Sequence, residues 1–324
     1  MSMKKIAIIG CGSIGRRHIQ NFLSCGCDVV AWNRGDERRL EVENDFNIKT
    51  FSDYESLVFN FGPDAVIICT PNLCHIDDAI YFAKKRINLF IEKPLSFDLT
   101  NIDTLELLIK KNNLICHVGS NMRYHFGPKS LKKIIDSKNY GKVIWANIWA
   151  GMYLPDWHPK EDYKKMYSSK ISLKGGAVLD FIHEIDLLLW LFGKPERVFS
   201  IVQNLNILDI ETEEIADVIF KYKTKQLNLH IDYLQKPFQR GIRILFERGW
   251  CEWDLNYNKI KVFDYTSDTL NELSLPKGYN KNDMYLLQTK EFIKALNKKN
   301  AFFTDLKQGI ESLNLALEIK KQSI

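Results

Sequence analysis

The sequence predicts an α/β fold, in which a parallel sheet covered by helices is followed by a region of antiparallel strands. All-apolar strands alternate with helices over the first third of the chain, and this rhythm changes after about residue 120. From residue 196 to residue 265, strand-like segments then follow one another with short turns between them. The 324 residues suggest about two domains.

The elements of the first part can be assigned in order. Strands are predicted at 5–10, 28–33, 64–70, 87–91 and 114–119. Helices are predicted at 13–24, 74–86 and 101–112, with a further charged helix after the second strand. Strands without a polar face must be buried on both sides, so helices are expected on both faces of a parallel sheet.

The second part begins with a helix at 128–137 and a strand at 142–150. An aromatic loop, an apolar helix at 176–192 and six strands follow. Short turns such as 223–225 and 248–249 favour antiparallel pairing of the strands. Helices at 282–296 and 305–322 close the chain. We expect domains at 1–120 and 121–324, with the last helices able to pack on the N-terminal domain.

Composition excludes several classes of protein. The net charge is +5 and the basic residues are scattered, which argues against nucleic-acid binding. No segment has the ~20 apolar residues of a membrane helix, and MSMKKIAIIG is interpreted as a first strand, not a signal peptide. Seven cysteines without a C-x-x-C pair indicate reduced thiols in a cytoplasmic protein. No Cys/His spacing indicates a metal.

A glycine-rich loop follows the first strand and opens the first helix. The segment GCGSIG fits G-x-G-x-x-G, the dinucleotide-binding pattern of a Rossmann domain. Its glycines permit a tight turn, an approach of the pyrophosphate and close helix–strand packing, and the helix N-terminus attracts phosphate. A glycine turn without a ligand is the alternative. The predicted cofactor-binding residues here are Gly10, Gly12, Ser13, Ile14 and Gly15.

The end of the second strand suggests which dinucleotide binds. Asn33 stands where a carboxylate would read the ribose of NAD, and Arg34 and Arg38 follow it, with Arg39 beside them. This pattern favours NADP over NAD, although the arginines also fit a solvated helix face. Thr70, Pro71 and Asn72 end the next long strand and are expected to line the cofactor, with an ordinary β-to-α turn as the alternative.

Two groups of residues suggest the reacting end. Glu92, Lys93 and Pro94 end the strand at 87–91, where Lys93 suits proton transfer and Glu92 can accept from a ribose hydroxyl. On the apolar helix at 176–192, Asp180 and His183 are three residues apart and are expected to share a face. A buried carboxylate and imidazole must be satisfied or used.

These motifs together resemble the glucose–fructose oxidoreductase / inositol dehydrogenase (Gfo/Idh/MocA) family. The resemblance rests on GCGSIGRRH, CTPN, EKP and the D-x-x-H helix after a GG pair. It implies an N-terminal Rossmann domain and a C-terminal α/β domain whose open, mostly antiparallel sheet commonly forms dimers or tetramers. It also implies that Lys93 is the catalytic lysine, that His183 moves the substrate hydroxyl proton and that Asp180 orients substrate or His183. His75, Lys93 and Asn121 are also included among the predicted cofactor-binding residues.

The spacing of the D-x-x-H helix suggests a branch of the family. Many members place the aspartate and histidine four residues apart. Glu184 and Asp186 instead fit a D-x-x-H-E-x-D branch that often accompanies bacterial surface-sugar genes. Arg123 and Tyr124 are predicted to line the substrate site, where Arg123 would suit an anionic group. The loop at 151–163 offers side chains that could stack on or hydrogen-bond a sugar, or simply anchor the loop: Tyr153, Asp156, Trp157 and Tyr163.

The resulting prediction is an NAD(P)-dependent sugar dehydrogenase or reductase. It would transfer a hydride between nicotinamide and a carbinol or keto carbon of a sugar, sugar derivative or nucleotide-sugar. An NAD-dependent glycosidase of the same fold and a non-catalytic NAD(P)-binding regulator are the alternatives. The expected partners are the small-molecule substrate and further copies of the chain, and neither nucleic acid nor membrane.

Overall fold

The computed structural model describes residues 3–159, 161–257, 259–298 and 304–321. The chain forms two compact units that each combine separate stretches of sequence. The first comprises residues 1–121 and 281–310, and the second comprises residues 122–280 and 311–324. The chain therefore leaves the first unit, builds most of the second, and returns to the first.

The first unit is built on a six-stranded parallel sheet with the order β3-β2-β1-β4-β5-β6. Its strands are β1 (Lys5–Ile9), β2 (Asp28–Trp32), β3 (Thr50–Phe51), β4 (Ala65–Ile68), β5 (Asn88–Ile91) and β6 (Cys116–Val118). The predicted parallel sheet is confirmed. The strand order reverses between β1 and β4, which in doubly wound sheets marks the ligand crevice.

Helices connect these strands. They are α1 (Ser13–Ser24), α2 (Asp36–Phe46), α3 (Tyr54–Phe61), α4 (His75–Lys84) and α5 (Ile102–Asn112). Helix α9 (Asp283–Leu296), from the later stretch of sequence, belongs to the same unit. The unpredicted α3 begins where the Asp53 carboxylate accepts from the Ser56 N–H at 2.7 Å, and it ends at Gly62 with φ 62°. Phe292 of α9 belongs to the same core as Phe22 and Phe90.

The second unit contains an eight-stranded open sheet with the order β14-β13-β12-β11-β7-β10-β9-β8. All neighbours pair antiparallel except β7 and β10, which confirms the mostly antiparallel sheet. Its strands are β7 (Val143–Gly151), β8 (Arg197–Gln203), β9 (Ile215–Lys221), β10 (Gln226–Asp232), β11 (Gln239–Phe246), β12 (Gly249–Asp254), β13 (Lys259–Asp264) and β14 (Thr269–Ser274). All six residues of the unpredicted β14 are exposed, so burial imposes no apolar pattern on it.

Helices α6 (Phe126–Ser137), α7 (Ala177–Asp180), α8 (Ile182–Phe192) and α10 (Leu306–Lys321) complete the fold. The single apolar helix predicted at 176–192 is wrong, because Phe181 (φ −90°, ψ 27°) separates α7 from α8. Asp180 and His183 therefore lie on different helices, and the helical i, i+3 argument for their shared face no longer applies. No helix in the described ranges is both long enough and apolar enough to cross a membrane.

Candidate active site

The glycine-rich loop has the geometry that its three glycines predict. Gly10 has φ 99°, and a Cβ there would lie 2.7 Å from the Cys69 carbonyl oxygen. A Cβ on Gly15 would lie 2.0 Å from the Gly10 carbonyl oxygen, so both positions require glycine for packing. A Cβ on Gly12 would instead meet nothing within 4 Å. The loop therefore leaves space at the glycine that a pyrophosphate would approach.

The start of α1 offers hydrogen-bond donors beside that space. Gly12 is the N-cap, no side-chain cap from the described residues occupies the helix start, and Ser13 and Ile14 form its first turn. Backbone N–H groups at such a terminus, with the helix dipole, bind phosphate. Asn72 supplies a second observation, because its Nδ2 is buried without a partner among the described residues. These features fit a dinucleotide.

Arginines surround the end of β2. Asn33 accepts from the Cys11 N–H at 3.2 Å, while Arg39 donates to the carbonyl oxygens of Asn33 and Arg34 at 2.9 and 3.0 Å. The Arg34 side chain is exposed, and Arg38 lies 3.6 Å from Glu41. Arg39 therefore helps to hold the turn.

Positive charge also reaches the glycine-rich loop. Burial raises the pKa of the Cys11 thiol to about 11, and the charges of Arg16, Arg38 and Arg39 oppose that rise. The three guanidinium groups are therefore close enough to the loop to favour a negative charge there, although each also pairs with a carboxylate of α2.

The turn after β4 is fixed by two buried side chains of α4. Thr70 donates its hydroxyl to Asp78 at 2.7 Å. His75 lies between two carbonyl oxygens, with Nε2 2.8 Å from that of Thr70 and Nδ1 2.9 Å from that of Pro94. Burial lowers the pKa of His75 and raises that of Asp78. His75 thus bridges the turns after β4 and β5, while Pro71 remains exposed.

The Glu92-Lys93-Pro94 turn follows β5, and its first side chain is buried. Glu92 Oε1 lies 2.7 Å from His18 Nε2, and Oε2 accepts from the Lys93 N–H at 3.2 Å. Lys93 is partly buried, and the Lys93–Pro94 peptide bond is cis. Sequence reasoning missed His18. Its position three residues after Gly15 was the available signal, because both lie on the face of α1 that packs on the sheet.

In the second unit, Asp180 is held by three hydroxyl groups. Ser168 and Tyr233 each donate to its Oδ2 at 2.6 Å, and Tyr167 donates to Oδ1. Burial and the adjacent carboxylate raise the pKa values of both tyrosines well above their usual range. His183 is also buried. The predicted function of Asp180 in orienting His183 or substrate stays a prediction.

The residues near the start of the second unit are also buried. Arg123 donates from Nε and Nη2 to the two carboxylate oxygens of Asp186 at 2.8 and 2.7 Å. This bidentate ion pair offsets the charge that Arg123 would offer an anionic substrate. Glu184 pairs with Arg240 at 2.7 Å. Glu184 and Asp186 of the predicted branch motif therefore both have arginine partners. Tyr124, the other residue predicted here to line the substrate site, is buried.

The aromatic loop uses most of its predicted residues to hold itself in place. Trp157 packs edge-on against Phe181 and Tyr233, with ring centroids 5.9 and 5.6 Å apart. Tyr163 donates to the Leu208 carbonyl oxygen at 3.1 Å. Asp156 pairs with Lys236 at 2.8 Å, and the Lys236 ammonium lies 5.5 Å from the Tyr153 ring centroid. These contacts agree with the loop-anchoring alternative.

Asn121 lies at the end of the first stretch of the first unit. It is buried, and its Nδ2 lies 3.3 Å from the Met284 sulfur, so the side chain packs against the start of α9. Within this unit the structure thus connects the turns after β1, β4 and β5, where most of the predicted cofactor-binding residues lie.

Comparison with known proteins agrees with this geometry. Residues 4–120 match the profile of an oxidoreductase family with an NAD-binding Rossmann fold, and residues 129–252 match the GFO/IDH/MocA C-terminal domain. A myo-inositol 2-dehydrogenase of Thermotoga maritima is 28% identical over 234 residues, which are 69% of this chain and 67% of that protein. The chain spans between 50% and 67% of the lengths of the first three curated relatives.

Solved structures show the same fold over the whole chain. The UDP-N-acetylglucosamine 3-dehydrogenase GnnA from Acidithiobacillus ferrooxidans has a TM-score of 0.83 and 20% identity, covering 100% of this chain and 98% of that one. A levoglucosan dehydrogenase in complex with NADH and levoglucosan has a TM-score of 0.88 and 16% identity, covering 99% and 97%. With both family profiles matched in order along its length, the chain belongs to the Gfo/Idh/MocA family of oxidoreductases.

Proposed function

We propose that the protein is an NAD(P)-dependent dehydrogenase or reductase acting on a carbinol or keto carbon of a sugar, sugar derivative or nucleotide-sugar. One observation carries the proposal. The open glycine loop after β1 and the Lys93 turn after β5 lie at the carboxyl edge of one parallel sheet, and the Glu92–His18 contact connects them. Relatives named as myo-inositol, levoglucosan and UDP-N-acetylglucosamine dehydrogenases support the substrate class.

The residues of this chain would bind the cofactor and move a proton. The nicotinamide, when bound, supplies the hydride acceptor or donor. Gly12 and the first N–H groups of α1 would hold the pyrophosphate, while Lys93 and His183 would handle the proton of the substrate hydroxyl. Asp180 would act from its hydroxyl-lined site to orient the substrate or His183.

A substrate screen tests this proposal. Inositols, anhydrosugars and UDP-sugars would be tested with NAD and NADP while reduced cofactor is followed by fluorescence. Lys93→Ala should lower kcat by roughly 10²–10⁴-fold without weakening NADH binding, whereas the exposed Lys84→Ala on α4 should match wild type. Undiminished turnover by Lys93→Ala would remove Lys93 from the mechanism. Tight cofactor binding without turnover of any compound would favour the regulator alternative.

We propose further that NADP is the preferred cofactor. Asn33 brings no carboxylate to the end of β2, and Arg34 is exposed beside it. Arg34→Ala should weaken NADPH binding about tenfold and leave NADH binding unchanged, because only NADPH carries the 2′-phosphate. Arg197→Ala, which removes an exposed guanidinium at the start of β8 in the second unit, is the matched control. Equal losses for NADH and NADPH in Arg34→Ala would contradict the preference.

The second unit is proposed to bind substrate and to form a homo-oligomer through its sheet. Side chains on one face of β8 and β9 are apolar and exposed, with Phe199 at 54%, Ile201 at 51% and Ile219 at 46%. A second copy covering this face would bury them. Ile201→Glu with Ile219→Glu should halve the mass measured by light scattering, whereas Leu107→Glu on α5 should not. An unchanged mass would exclude this face.

We also propose that the protein works in the cytoplasm. All seven cysteines are free thiols, and four of them are buried: Cys11, Cys27, Cys116 and Cys251. Free buried thiols are typical of proteins from reducing compartments. Fractionation of the native cells, with detection of the protein by antibody, tests this location.

A further inference from the structure

A polar contact lies inside the core of the first unit. His18 is fully buried on α1, and its Nε2 lies 2.7 Å from Glu92 Oε1. We infer that His18 is a positioning residue, which holds Lys93 in place by acting through the Glu92 carboxylate. The inference rests on the proposed function of Lys93 but concerns a residue outside the cofactor loop and the substrate site.

The backbone pattern brings the pair together. Gly15, His18 and Phe22 follow one another at helical spacing on the face of α1 that packs on the sheet. Phe90 lies in β5 and Glu92 directly follows that strand, and both side chains contact His18. The His18 ring lies edge-on to the Phe90 ring, with centroids 5.0 Å apart. Aromatic packing therefore fixes the imidazole beneath the carboxylate.

The Glu92 carboxylate contacts both the His18 ring and the backbone of Lys93. Its second oxygen, Oε2, accepts from the backbone N–H of Lys93 at 3.2 Å. Glycine at position 119 leaves room for the carboxylate, because a Cβ on Gly119 would lie only 2.9 Å from Oε2. One short path thus runs from the α1 ring through Glu92 to the backbone of Lys93.

A second histidine fixes the other side of the turn. His75 Nδ1 lies 2.9 Å from the carbonyl oxygen of Pro94, so the residues before and after Lys93 both contact a buried imidazole. Two apolar residues could fill the place of His18 and Glu92 at a lower desolvation cost. Positioning Lys93 gives this buried polar pair a function that packing alone would not require.

The surroundings of the two His18 ring nitrogens agree with a donating role. Its Nδ1 is buried and has no hydrogen-bond partner among the described residues. We therefore assign the ring proton to Nε2, which donates to Glu92, because an unpaired N–H at Nδ1 would be costly. Removing this donor would leave the buried carboxylate with one partner fewer and free it to rotate away from the Lys93 backbone.

The inference can be tested without knowing the substrate. Acetylation of lysines by N-hydroxysuccinimidyl acetate would be followed peptide by peptide in wild type, His18→Leu and His18→Gln. Glutamine keeps an N–H donor near the place of Nε2, and leucine does not. We expect the rate at Lys93 to change roughly tenfold in His18→Leu and by less than about twofold in His18→Gln. Acetylation of the exposed Lys84 should stay constant.

Cofactor binding and a second variant complete the test. The Kd for NADH should stay within about threefold in both His18 variants, because His18 lies outside the loop. If His18→Leu does not fold, Glu92→Gln should give the same change at Lys93. Equal Lys93 rates in wild type and His18→Leu, or loss of the fold in both variants, would overturn the inference and leave the pair a purely structural role.

The outcomes distinguish this inference from the proposed function. Lys93 acetylation requires no turnover, so a protein without dehydrogenase activity would still show the change. Where a substrate is found, kcat should fall roughly 10- to 100-fold in His18→Leu while the KM for NADH stays constant, and His18→Gln should restore most of the loss. A rise in that KM with unchanged kcat would instead assign His18 to cofactor binding.

Discussion

Alanine at Gly12 and alanine at Gly15 should have opposite consequences, although both glycines belong to one motif. A methyl group at Gly15 would lie 2.0 Å from the Gly10 carbonyl oxygen, so β1 and α1 would have to separate. At Gly12 the methyl group meets nothing within 4 Å, and φ is −69°, which any residue adopts. Alanine is a poorer N-cap than glycine, which lowers the free energy of unfolding by about 0.5–1 kcal/mol. The smaller conformational entropy of the unfolded chain raises it again by about 0.4–1 kcal/mol.

We therefore expect Gly12→Ala to keep its unfolding free energy within about 1 kcal/mol of wild type. Its Kd for NADH should nevertheless rise at least about tenfold, because the methyl group would occupy the space that the pyrophosphate approaches. Gly15→Ala should lose about 3 kcal/mol or more, as overpacked sites do. Urea unfolding and NADH fluorescence titration measure both quantities. A folded Gly12→Ala protein with wild-type NADH affinity would refute the placement of the pyrophosphate.

Three further predictions concern the second unit. Asp186→Leu should cost about 3–5 kcal/mol of stability by removing the carboxylate that neutralises the buried Arg123, and Arg123→Met in the same chain should restore most of it in urea unfolding. Asp180→Asn should cost about 2 kcal/mol, because an amide N–H₂ would face hydroxyl donors; an equally stable variant would contradict the assigned bonds. The hydrogen bond to Asp232 raises the pKa of His230 to about 9 against burial, with Asp217 contributing further. The stability that protonated His230 gains from these carboxylates is complete below about pH 6.5 and is lost as pH rises through about 9. Solvent screening limits it to about 1 kcal/mol, and His230→Gln should flatten the pH dependence of unfolding.

The elements of the fold could be predicted wherever burial requires a continuous run of apolar residues. Strands β1, β4 and β5 are buried along nearly their whole length, so their continuous apolar runs mark them without ambiguity. Strand β14 is exposed throughout and α3 is only eight residues long, so neither carries a strong apolar pattern. The break at Phe181 lies inside an apolar run, where a local pattern cannot distinguish one helix from two.

The backbone turns of the candidate site could be predicted from the sequence, whereas most of the side-chain partners could not. The motif spacing was enough to identify the glycine loop and the Lys93 turn, because both depend on local geometry. The partners of Glu92 and Asp180 are distant in sequence, since His18 lies 74 residues before Glu92 and Tyr233 lies 53 residues after Asp180. Such pairings are set by tertiary packing, which no local pattern records.

The return of the chain to the first unit has a consequence for synthesis on the ribosome. Phe292 of α9 packs edge-on against Phe22 and Phe90, with ring centroids 6.4 and 5.5 Å away. Beyond it, the Thr304 carbonyl oxygen accepts from the Val118 N–H at 2.9 Å along β6. A nascent chain of 280 residues therefore has every strand of its first sheet but lacks the segment that covers those rings. Until the last turns of α9 emerge, these aromatic rings stay uncovered and accessible to chaperones. A ribosome that stalls late would therefore hold an aggregation-prone chain, even though every strand of the first sheet has been made.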